Sequence, residues 1–319
     1  MTRLDRATLR QLRIFDAAAR HLHFGHAAVE IHVSQPAVSI QLKQLERIAG
    51  APLFEQMGRR KHLTRIGAEL ARHARVVLAQ LRQADEALQR LRGPDSGMLD
   101  VVSTTTAEYF VPRLLAEFRR DRPSLTVRLA VKNREAVIRD LSENTVDLAV
   151  MGSPPEGLDT TAVAFAGHPL AIIASPDHRL AKRRRVNLDE LAGEPFLVRE
   201  YGSGTRDAME RAFALEHFHP RETIEIGPNE AIKQAVMAGM GLGFVSIHTV
   251  DIEIATSRLV MLPITGMPVM RQWYAIHRKT KDLSPPAVAF KAFLIDHGAD
   301  RLRTRLSKFA ASDRPRVKM

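Results

Sequence analysis

The sequence predicts an α/β protein in two parts, a mostly helical winged helix-turn-helix with a long linker helix, followed by a two-lobed α/β domain. Apolar residues recur every three or four positions through the first ninety residues, as on helices with one buried face. Beyond that point, short apolar runs alternate with amphipathic segments, which is typical of strands connected by crossover helices. A Gly-Pro-Asp-Ser-Gly stretch at 93–97 separates the two patterns and predicts a hinge.

The 319 residues carry a formal net charge of +11 that is concentrated at the two ends of the chain. Residues 1–92 contain 16 Lys and Arg against 8 Asp and Glu, and residues 301–319 contain 7 against 1. Residues 93–300 contain 24 against 27 and are nearly neutral. A basic first segment favours a polyanionic partner such as DNA, because binding releases condensed counterions. A basic but solvated surface is the alternative, and charge alone does not decide between them.

The composition indicates neither a membrane segment nor a disulfide framework. No apolar run approaches the roughly 20 residues that span a bilayer, and the charged N-terminus lacks the apolar core of a signal peptide. The chain contains no cysteine, which excludes disulfides and thiolate metal sites. We therefore expect a cytoplasmic protein.

The first unit, predicted at 1–63, contains two helices joined by a tight turn. Residues 25–31 form a short helix and residues 32–33 the turn. Ser34 is a good N-cap for the second helix, and Pro36 fits its first turn, where a missing N–H costs nothing. This arrangement is a helix-turn-helix.

The second of these helices presents short hydroxyls and amides that suit base edges and phosphates in a major groove. Such residues are often only solvated surface, but the helix-turn-helix and the local positive charge favour a role in readout. A basic turn at 57–61 then predicts a small hairpin, or wing, suited to a phosphate backbone or minor groove. The predicted DNA-binding residues are Ala27, Ser34, Gln35, Pro36, Ser39, Gln41, Lys43, Arg59, Arg60 and Lys61.

Residues 64–92 form the predicted linker helix. Its apolar residues are spaced by three and four positions, which is the pattern of a coiled-coil seam. A single helix facing its own core gives the same pattern, but no other long helix lies nearby in the sequence, so we expect a dimer. A dimer also pairs two recognition helices on two half-sites. The predicted dimerisation residues are Ile66, Leu70, Val77, Leu81 and Leu88.

The α/β part is predicted at 98–300, with one lobe at about 98–166 and 271–300 and the other at about 167–270. The basic tail at 301–319 is expected to be disordered. Ligands of open α/β sheets bind beyond the carboxyl ends of strands, where helix N-termini offer free N–H groups. Four such junctions carry residues that suit a carboxylate or phosphate, although each alone is an ordinary helix cap. The predicted ligand-binding residues are Ser103, Thr104, Thr105, Thr106, Asn133, Arg134, Gly202, Ser203, Gly204, Thr205, Arg206, Glu230 and Lys233.

Other motifs in the sequence are weaker. The segment at 239–244 has the glycine spacing of a dinucleotide site, but it follows a helix, so we expect a helix C-terminus and a strand entry there. His21, His23 and His26 lack matching acidic ligands, so we predict no metal site. The sequence shows no nucleophile elbow or paired-carboxylate motif, and we predict no catalytic residues. An enzyme built on the two lobes is the alternative class.

Two stretches of the first ninety residues, LRIFDAAARHLHFGHAAVEIHVSQPAVSIQLKQLE and GAPLFEQMGRRKHLTRIGAEL, carry a family resemblance. They resemble the DNA-binding domain and linker helix of LysR-type transcriptional regulators. The two lobes are similar to the periplasmic-binding-protein-like effector domain of the same family. The resemblance implies a regulator that binds double-stranded operator DNA as a homodimer or homotetramer and senses a small anionic metabolite. It also implies RNA polymerase as a partner.

Four further stretches, VKNREAV, DLAVMGSPP, REYGSGTRDAMERAF and GPNEAIKQAVMAGMGLGFVSIHT, resemble a subgroup of that family, the RuBisCO-operon (CbbR-type) regulators of Calvin-cycle genes. The subgroup implies no cofactor, and an effector that is a phosphorylated sugar, phosphoenolpyruvate or a reduced nicotinamide nucleotide. A LysR-type regulator of an aromatic or amino-acid operon, with a carboxylate effector, is the nearest alternative.

Overall fold

The computed structural model describes residues 3–57, 60–90 and 97–310, and the chain divides into two compact units at residues 88 and 89. The first unit starts with a short 3-10 helix at Arg3–Arg6 and then contains helices and one antiparallel hairpin. These elements are α1 (Leu9–His21), α2 (Phe24–Glu30), α3 (Gln35–Ala49), β1 (Phe54–Met57), β2 (Arg60–Leu63) and α4 (Arg65–Arg90).

Local hydrogen bonds define where these helices begin. Thr8 and Gln11 form a capping box at α1, in which Thr8 Oγ1 accepts from the Gln11 N–H at 3.1 Å and Gln11 Oε1 accepts from the Thr8 N–H at 2.9 Å. The Ser34 hydroxyl accepts from the Ala37 N–H at 3.4 Å and caps α3. Between α2 and α3 the chain turns through His32, whose φ is 54°. The predicted helix-turn-helix is confirmed.

The wing is fixed to the start of α4 by a close backbone approach. A Cβ on Gly67 would lie 2.0 Å from the carbonyl oxygen of Leu53, so this helical position requires glycine. Thr64 Oγ1 donates to the Pro52 carbonyl at 2.8 Å and accepts from the Gly67 N–H at 2.9 Å. The base of the hairpin therefore has a defined position against α4.

The second unit is built on a mixed sheet with the strand order β4-β3-β5-β11-β6-β9-β7-β8, and β10 pairs with β6. Three short 3-10 helices lie at Thr105–Ala107, Leu188–Leu191 and Ile247–Thr249. The remaining elements are β3 (Gly97–Thr104), α5 (Val111–Arg120), β4 (Leu125–Lys132), α6 (Arg134–Ser142), β5 (Leu148–Met151), β6 (Thr160–Ala174), β7 (Pro195–Val198), α7 (Gly204–Leu215), β8 (Glu222–Glu225), α8 (Asn229–Met237), β9 (Leu242–Ser246), α9 (Asp251–Ala255), β10 (Val260–Met261), β11 (Val269–Arg278) and α10 (Pro285–Ala310).

Two long antiparallel strands, β6 and β11, run through both lobes of this sheet. The first lobe adds the parallel strands β3, β4 and β5 and has its core around Phe118, Trp273 and Phe290. The second adds β7, β8 and β9 and has its core around Phe196 and Phe213. The pairings of β5 with β11 and of β9 with β6 direct the carboxyl ends of both parallel sets toward the middle of the β6–β11 pair. A two-lobed α/β domain of this kind confirms the predicted fold class.

Two predicted segments, the C-terminal tail and the hinge, differ from the structure or lie partly outside its description. The C-terminal helix α10 continues to Ala310, so the expected tail at 301–319 begins inside a helix, because Leu302 is buried in the first-lobe core. Residues 311–319 lie outside the described residues, as do residues 93–96 of the predicted hinge. Within the described ranges, none of the helices has both the length and the apolar character needed to cross a membrane.

Candidate functional site

Helix α3 turns one side to its own core and the other to solvent. Val38, Leu42 and Leu45 are buried. Ile40 is 54% exposed, which is unusual for a large apolar side chain in a helix. An exposed surface of this kind combines an apolar group with hydrogen-bonding and cationic ones, which suits a DNA groove. The exposed residues of this side are Gln35, Pro36, Ile40, Lys43 and Arg47.

Ile40 and Arg47 were missed in the sequence prediction. Both follow Pro36 and Lys43 at a spacing of four residues, so helical periodicity was the signal that could have found them. An exposed aliphatic side chain can contact a thymine methyl group, and an exposed guanidinium can contact a phosphate or guanine.

Three of the predicted DNA-binding residues are buried, cap a helix or lie off the exposed side of α3. Ala27 is fully buried in the core of its own unit, so its assignment to DNA is wrong, and its small size serves helix packing. Ser34 uses its hydroxyl oxygen to cap α3. Gln41 is half-buried and lies two residues after Ser39, which places the two on roughly opposite sides of the helix. Only one of these two side chains can face a given groove.

The wing is anchored by α3 and α2. Glu46 Oε1 accepts hydrogen bonds from the Leu53 N–H at 2.8 Å and from the Phe54 N–H at 3.4 Å. The ammonium of Lys61 lies 4.4 Å from the centroid of the Phe24 ring, a cation–π contact. Of the other predicted wing residues, Arg59 lies outside the described residues, and the side chain of Arg60 does too.

The apolar stripe of α4 is divided between two surroundings. Leu70 is buried with the core of its own unit, so its assignment to a dimer seam is wrong, because α4 uses that face to cover the helix-turn-helix. Ile66, Val77 and Leu81 are exposed, by 52%, 44% and 37%. The side chain of Leu88 lies outside the described residues. The exposed residues form an apolar face that the unit itself does not cover.

In the second unit, a pocket with a free cavity volume of about 30 Å³ lies where the parallel strands of both lobes end against β6 and β11. Several predicted ligand-binding residues meet there, as expected for strand ends that share one cleft. These are Thr104, Thr105, Thr106, Arg134, Ser203, Gly204 and Thr205. The lining residues that sequence reasoning missed are Gly152, Ser153, His168, Arg199, Glu200, Arg271 and Trp273.

Two arginines of the pocket form no ion pair among the residues that the structure describes, although the charge of Asp207 acts on both. Arg134 donates to the carbonyl oxygens of Ser153 and Pro154, at 3.0 and 3.2 Å. Arg271 donates to the carbonyl oxygens of Gly204 and Gly152, at 2.5 and 2.9 Å. Burial is the main cause that lowers the pKa of both guanidinium groups. Their positive charge is therefore available to a bound anion.

A third arginine, Arg199, organises one wall of the pocket. Its side chain is only 4% exposed and forms an ion pair with Glu200, at 2.7 Å. It also donates to Asn229 Oδ1 at 2.6 Å and to Thr105 Oγ1 at 3.2 Å. Because Thr105 accepts this bond, its hydroxyl has a hydrogen free to donate toward the pocket.

Two predicted cations lie outside the pocket. Arg206 turns away and pairs with Glu210 at 2.8 Å and Glu225 at 2.6 Å. Lys233 is buried between Glu230 and Glu253, at 2.7 and 2.8 Å. Burial lowers its pKa, but these hydrogen bonds, together with the charges of Glu253 and Tyr109, raise it overall. The assignments of Arg206, Glu230 and Lys233 to the ligand are wrong. Their positions on the helices direct these side chains into ion pairs within the protein.

Three other predicted residues also lie outside the pocket lining. Asn133 is an ordinary helix cap, whose Oδ1 accepts from the Ala136 N–H at 2.9 Å. Ser103 is fully buried, since alternation along β3 turns it away from Thr104. Gly202 is an exposed turn residue with a φ of 80°.

His168 and Trp273 form one side of the pocket. Their rings stack with centroids 3.8 Å apart and an interplanar angle of 17°. Burial, and then the charge of Arg271, hold the pKa of His168 well below its ordinary value. The sequence contains only a weak signal for this pair, a single tryptophan and one histidine at the start of an apolar run.

The histidines of the first unit do not form a recognisable metal site. His21 Nε2 lies 2.6 Å from Glu30 Oε2, and the His23 ring caps α2 by accepting from the His26 N–H at 3.2 Å. Within residues 3–57, 60–90 and 97–310, no group of three or more His, Cys, Asp or Glu is arranged to hold a metal ion.

Family models match both units of the chain. The model described as bacterial regulatory helix-turn-helix protein, lysR family, matches residues 9–68. The model described as LysR substrate binding domain matches residues 92–299. The second range contains the complete pocket lining.

Curated relatives and solved structures are similar over the same regions. A RuBisCO operon transcriptional regulator of Allochromatium vinosum is 45% identical over 299 residues, which cover 94% of this chain and 99% of the relative. The HTH-type transcriptional regulator CbbR of Rhodospirillum rubrum is 46% identical, covering 90% of this chain and 95% of the relative. The structure of the Synechocystis CcmR regulatory domain in complex with 2-PG is 39% identical with a TM-score of 0.61, covering 63% of this chain and 97% of that one.

Proposed function

The chain belongs to the LysR family of bacterial transcriptional regulators, and on that premise we propose that it regulates a RuBisCO operon in response to a small anionic metabolite. It is a DNA-binding regulator and not an enzyme, because both family models and the curated relatives are regulators. The identities of 45% and 46% to two regulators named for RuBisCO or CbbR support the operon.

One observation carries the anion part of the proposal. The guanidinium groups of Arg134 and Arg271 lie in one pocket with the Thr104–Thr106 segment and the start of α7, and neither forms an ion pair in the described part of the chain. Charged groups that donate hydrogen bonds favour carboxylates and phosphates. The similar CcmR domain, whose structure contains 2-PG, supports a small molecule as the ligand of this pocket.

The size of the pocket favours the smaller effectors of the predicted set. Its free cavity volume of about 30 Å³ is far below the roughly 300–1,000 Å³ of typical ligand pockets. Phosphoenolpyruvate or a short phosphorylated sugar acid fits such a space more readily than a nicotinamide dinucleotide. The operon and the effector can be tested separately, because promoter binding and ligand binding are measured in different experiments.

We infer that DNA is bound by the exposed side of α3 together with the wing, and that the exposed apolar face of α4 pairs with a second copy. Gln35, Ser39 and Lys43 remain our proposed DNA contacts, and Ile40 and Arg47 join them. Burying Ile66, Val77 and Leu81 against a partner would remove apolar surface from water, which is the usual driving force of such pairing. Pairing of dimers into tetramers belongs to the same proposal.

The test combines promoter footprinting with calorimetry. Purified full-length protein is footprinted on the promoter of the RuBisCO operon of its host and on a promoter of an aromatic-acid operon. Ribulose bisphosphate, phosphoenolpyruvate, 2-phosphoglycolate and a reduced nicotinamide nucleotide are titrated separately. Protection of the RuBisCO promoter, altered by one of these ligands, is the expected result. Protection of the other promoter alone, with binding of a non-phosphorylated carboxylate, would favour the alternative operon.

A further inference from the structure

His168 is held rigidly in the wall of the effector pocket. It lies in the middle of β6 and is 2% exposed. One face of its ring stacks on Trp273 at 3.8 Å between centroids. Gly152 borders the ring closely, since a Cβ there would lie 2.9 Å from His168 Nδ1. The position of the imidazole is therefore defined before any ligand binds.

Neither ring nitrogen of His168 has a hydrogen-bond partner among the groups that the structure describes. A neutral imidazole carries one N–H donor and one acceptor nitrogen. Buried polar atoms are nearly always paired, and each exception needs a physical explanation. Because the ring lines the pocket, a ligand in that pocket is the group placed to pair with it.

The charged groups around His168 disfavour a second proton on its ring in the ligand-free protein. Arg271 on β11 is its direct partner in the strand register. The ring of His248, from the 3-10 helix after β9, has its centroid 6.4 Å away. Burial, Arg271 and His248, in that order, hold the pKa of His168 well below its ordinary value. The charged residues that line the pocket with it are Arg134, Arg199, Glu200 and Arg271.

We propose that His168 donates a hydrogen bond to the anion bound in this pocket and takes up one proton from solvent as the anion binds, so that effector affinity depends on pH. An anion offers only acceptors, and an imidazolium offers two donors where the neutral ring offers one. The negative charge of the anion also offsets the repulsion from Arg271. The net change is the transfer of one proton from a hydronium ion of the solvent to a ring nitrogen of His168, in which one O–H bond breaks and one N–H bond forms, and no other covalent bond changes. This inference rests on the effector pocket proposed above.

The experiment measures proton uptake with the full-length protein and 2-phosphoglycolate as the probe. Calorimetric titrations in buffers of different ionisation enthalpy give the number of protons taken up on binding, at several pH values from 8.0 to 6.0. The probe titrates in this range itself, so the measured quantity is the difference between the wild type and His168→Asn, which keeps one polar side-chain group without a titrating ring. We expect the wild type to take up several tenths of a proton more near neutral pH. Between pH 8.0 and 6.0, the affinity of the wild type for 2-phosphoglycolate should rise by about three- to tenfold more than the affinity of the variant. Uptake of one proton limits this difference to about tenfold per pH unit.

His297→Asn is the matched control, because this histidine is exposed on α10 and is not among the pocket residues. It should keep the proton count of the wild type. An equal proton count in the wild type and His168→Asn, with binding intact, overturns the inference and leaves the effector pocket standing. Absence of binding to the wild type overturns the inference together with the pocket.

Fluorescence gives a second measurement that needs no variant. Trp273 is the single tryptophan of the chain, and it stacks on His168. Protonation of the imidazole places a cation on the indole face and quenches its emission. Saturating 2-phosphoglycolate should shift the midpoint of this pH-dependent quenching upward by at least one pH unit. A midpoint that is the same with and without the ligand overturns the inference even where His168→Asn fails to fold.

Discussion

The guanidinium group of Arg271 donates a 2.5 Å hydrogen bond to the carbonyl oxygen of Gly204. Its other terminal nitrogen donates to the carbonyl oxygen of Gly152 at 2.9 Å. Gly204 begins α7 in the second lobe, and Gly152 follows β5 in the first. One half-buried cation therefore joins both lobes at the pocket, and an anion that contacts it acts on the junction between them.

Replacing Arg271 with Ala should weaken binding of the effector by about ten- to a hundredfold, because charge-assisted hydrogen bonds contribute on the order of 1.5–3 kcal/mol. Calorimetry with 2-phosphoglycolate measures the change. Arg206→Ala is the matched control, because Arg206 pairs with Glu210 and Glu225 and is not part of the pocket lining. An Arg271→Ala protein that binds 2-phosphoglycolate as tightly as the wild type would show that the ligand binds elsewhere.

Lys43→Ala and Ile40→Ala should impair DNA binding in different ways. Losing the Lys43 ammonium removes one phosphate contact, which weakens binding to all DNA and lowers the salt slope by about one. Losing the Ile40 side chain should reduce preference for the operator over random DNA, because apolar contacts read thymine methyl groups. Binding isotherms with operator DNA and with random DNA, at several salt concentrations, test both effects. Gln41→Ala is the control, because Gln41 is half-buried. Unchanged isotherms for both variants would contradict the assignment of α3.

Leu81→Asp should dissociate the dimer. The charge would lie in the exposed apolar face of α4, where a partner helix gives it no counter-ion and desolvation is costly. Sedimentation of the full chain should show the monomer, and binding to the full operator should be lost. Leu215→Asp serves as the control, because Leu215 is 82% exposed on α7, which belongs to the second unit. A Leu81→Asp protein that sediments like the wild type would mean that this face of α4 does not form the interface.

Gly67→Ala should disturb the wing without changing the effector pocket. The added Cβ would lie 2.0 Å from the Leu53 carbonyl oxygen, so the base of the hairpin has to move. We expect a loss of about 1–3 kcal/mol in the stability of the first unit, as for overpacking elsewhere, and weaker DNA binding. Denaturation and operator binding measure these effects, and 2-phosphoglycolate affinity is the internal control. Full retention of stability and DNA binding would contradict the close approach.

The stability of the ligand-free protein should fall at mildly acidic pH partly because of His168. Burial, with Arg271 and His248 nearby, lowers the pKa of His168, so the folded state keeps the ring neutral while the unfolded chain takes up a proton below about pH 6.5. Stability is therefore complete above that pH and is lost as the pH falls toward the lowered pKa, by at most about 1.4 kcal/mol per pH unit. Burial also lowers the pKa of His277, which adds a smaller effect of the same sign.

Denaturant titrations between pH 7.5 and 5.5 check this dependence. The acid slope should be shallower in His168→Asn than in the wild type, whatever the change in stability at pH 7.5. His297→Asn should keep the slope of the wild type. A slope in His168→Asn equal to that of the wild type would contradict a neutral, buried His168.

Residue type and spacing were enough to predict the helices, the strands and the edge of the sheet where the pocket lies. Ser34 and Thr8 cap helices through bonds to residues three positions away, so their roles are local and follow from residue type. Thr104 and Ser203 lie at strand ends, and parallel strands bring such ends to one edge whatever their exact packing. Both were predictable because the chain geometry that positions them is short-range.

Only the tertiary structure decided which side chains face the pocket and which face of a helix is buried. Arg271 and His168 meet because β6 and β11 pair in one register, and a shift of one residue would turn both to the other side of the sheet. Arg206 follows Gly204 by two residues, which puts it on a different side of α7. Leu70 fits a dimer seam and a protein core equally by its spacing, and its burial depends on which surface covers it. Such choices depend on contacts between residues distant in the chain, which periodicity does not encode.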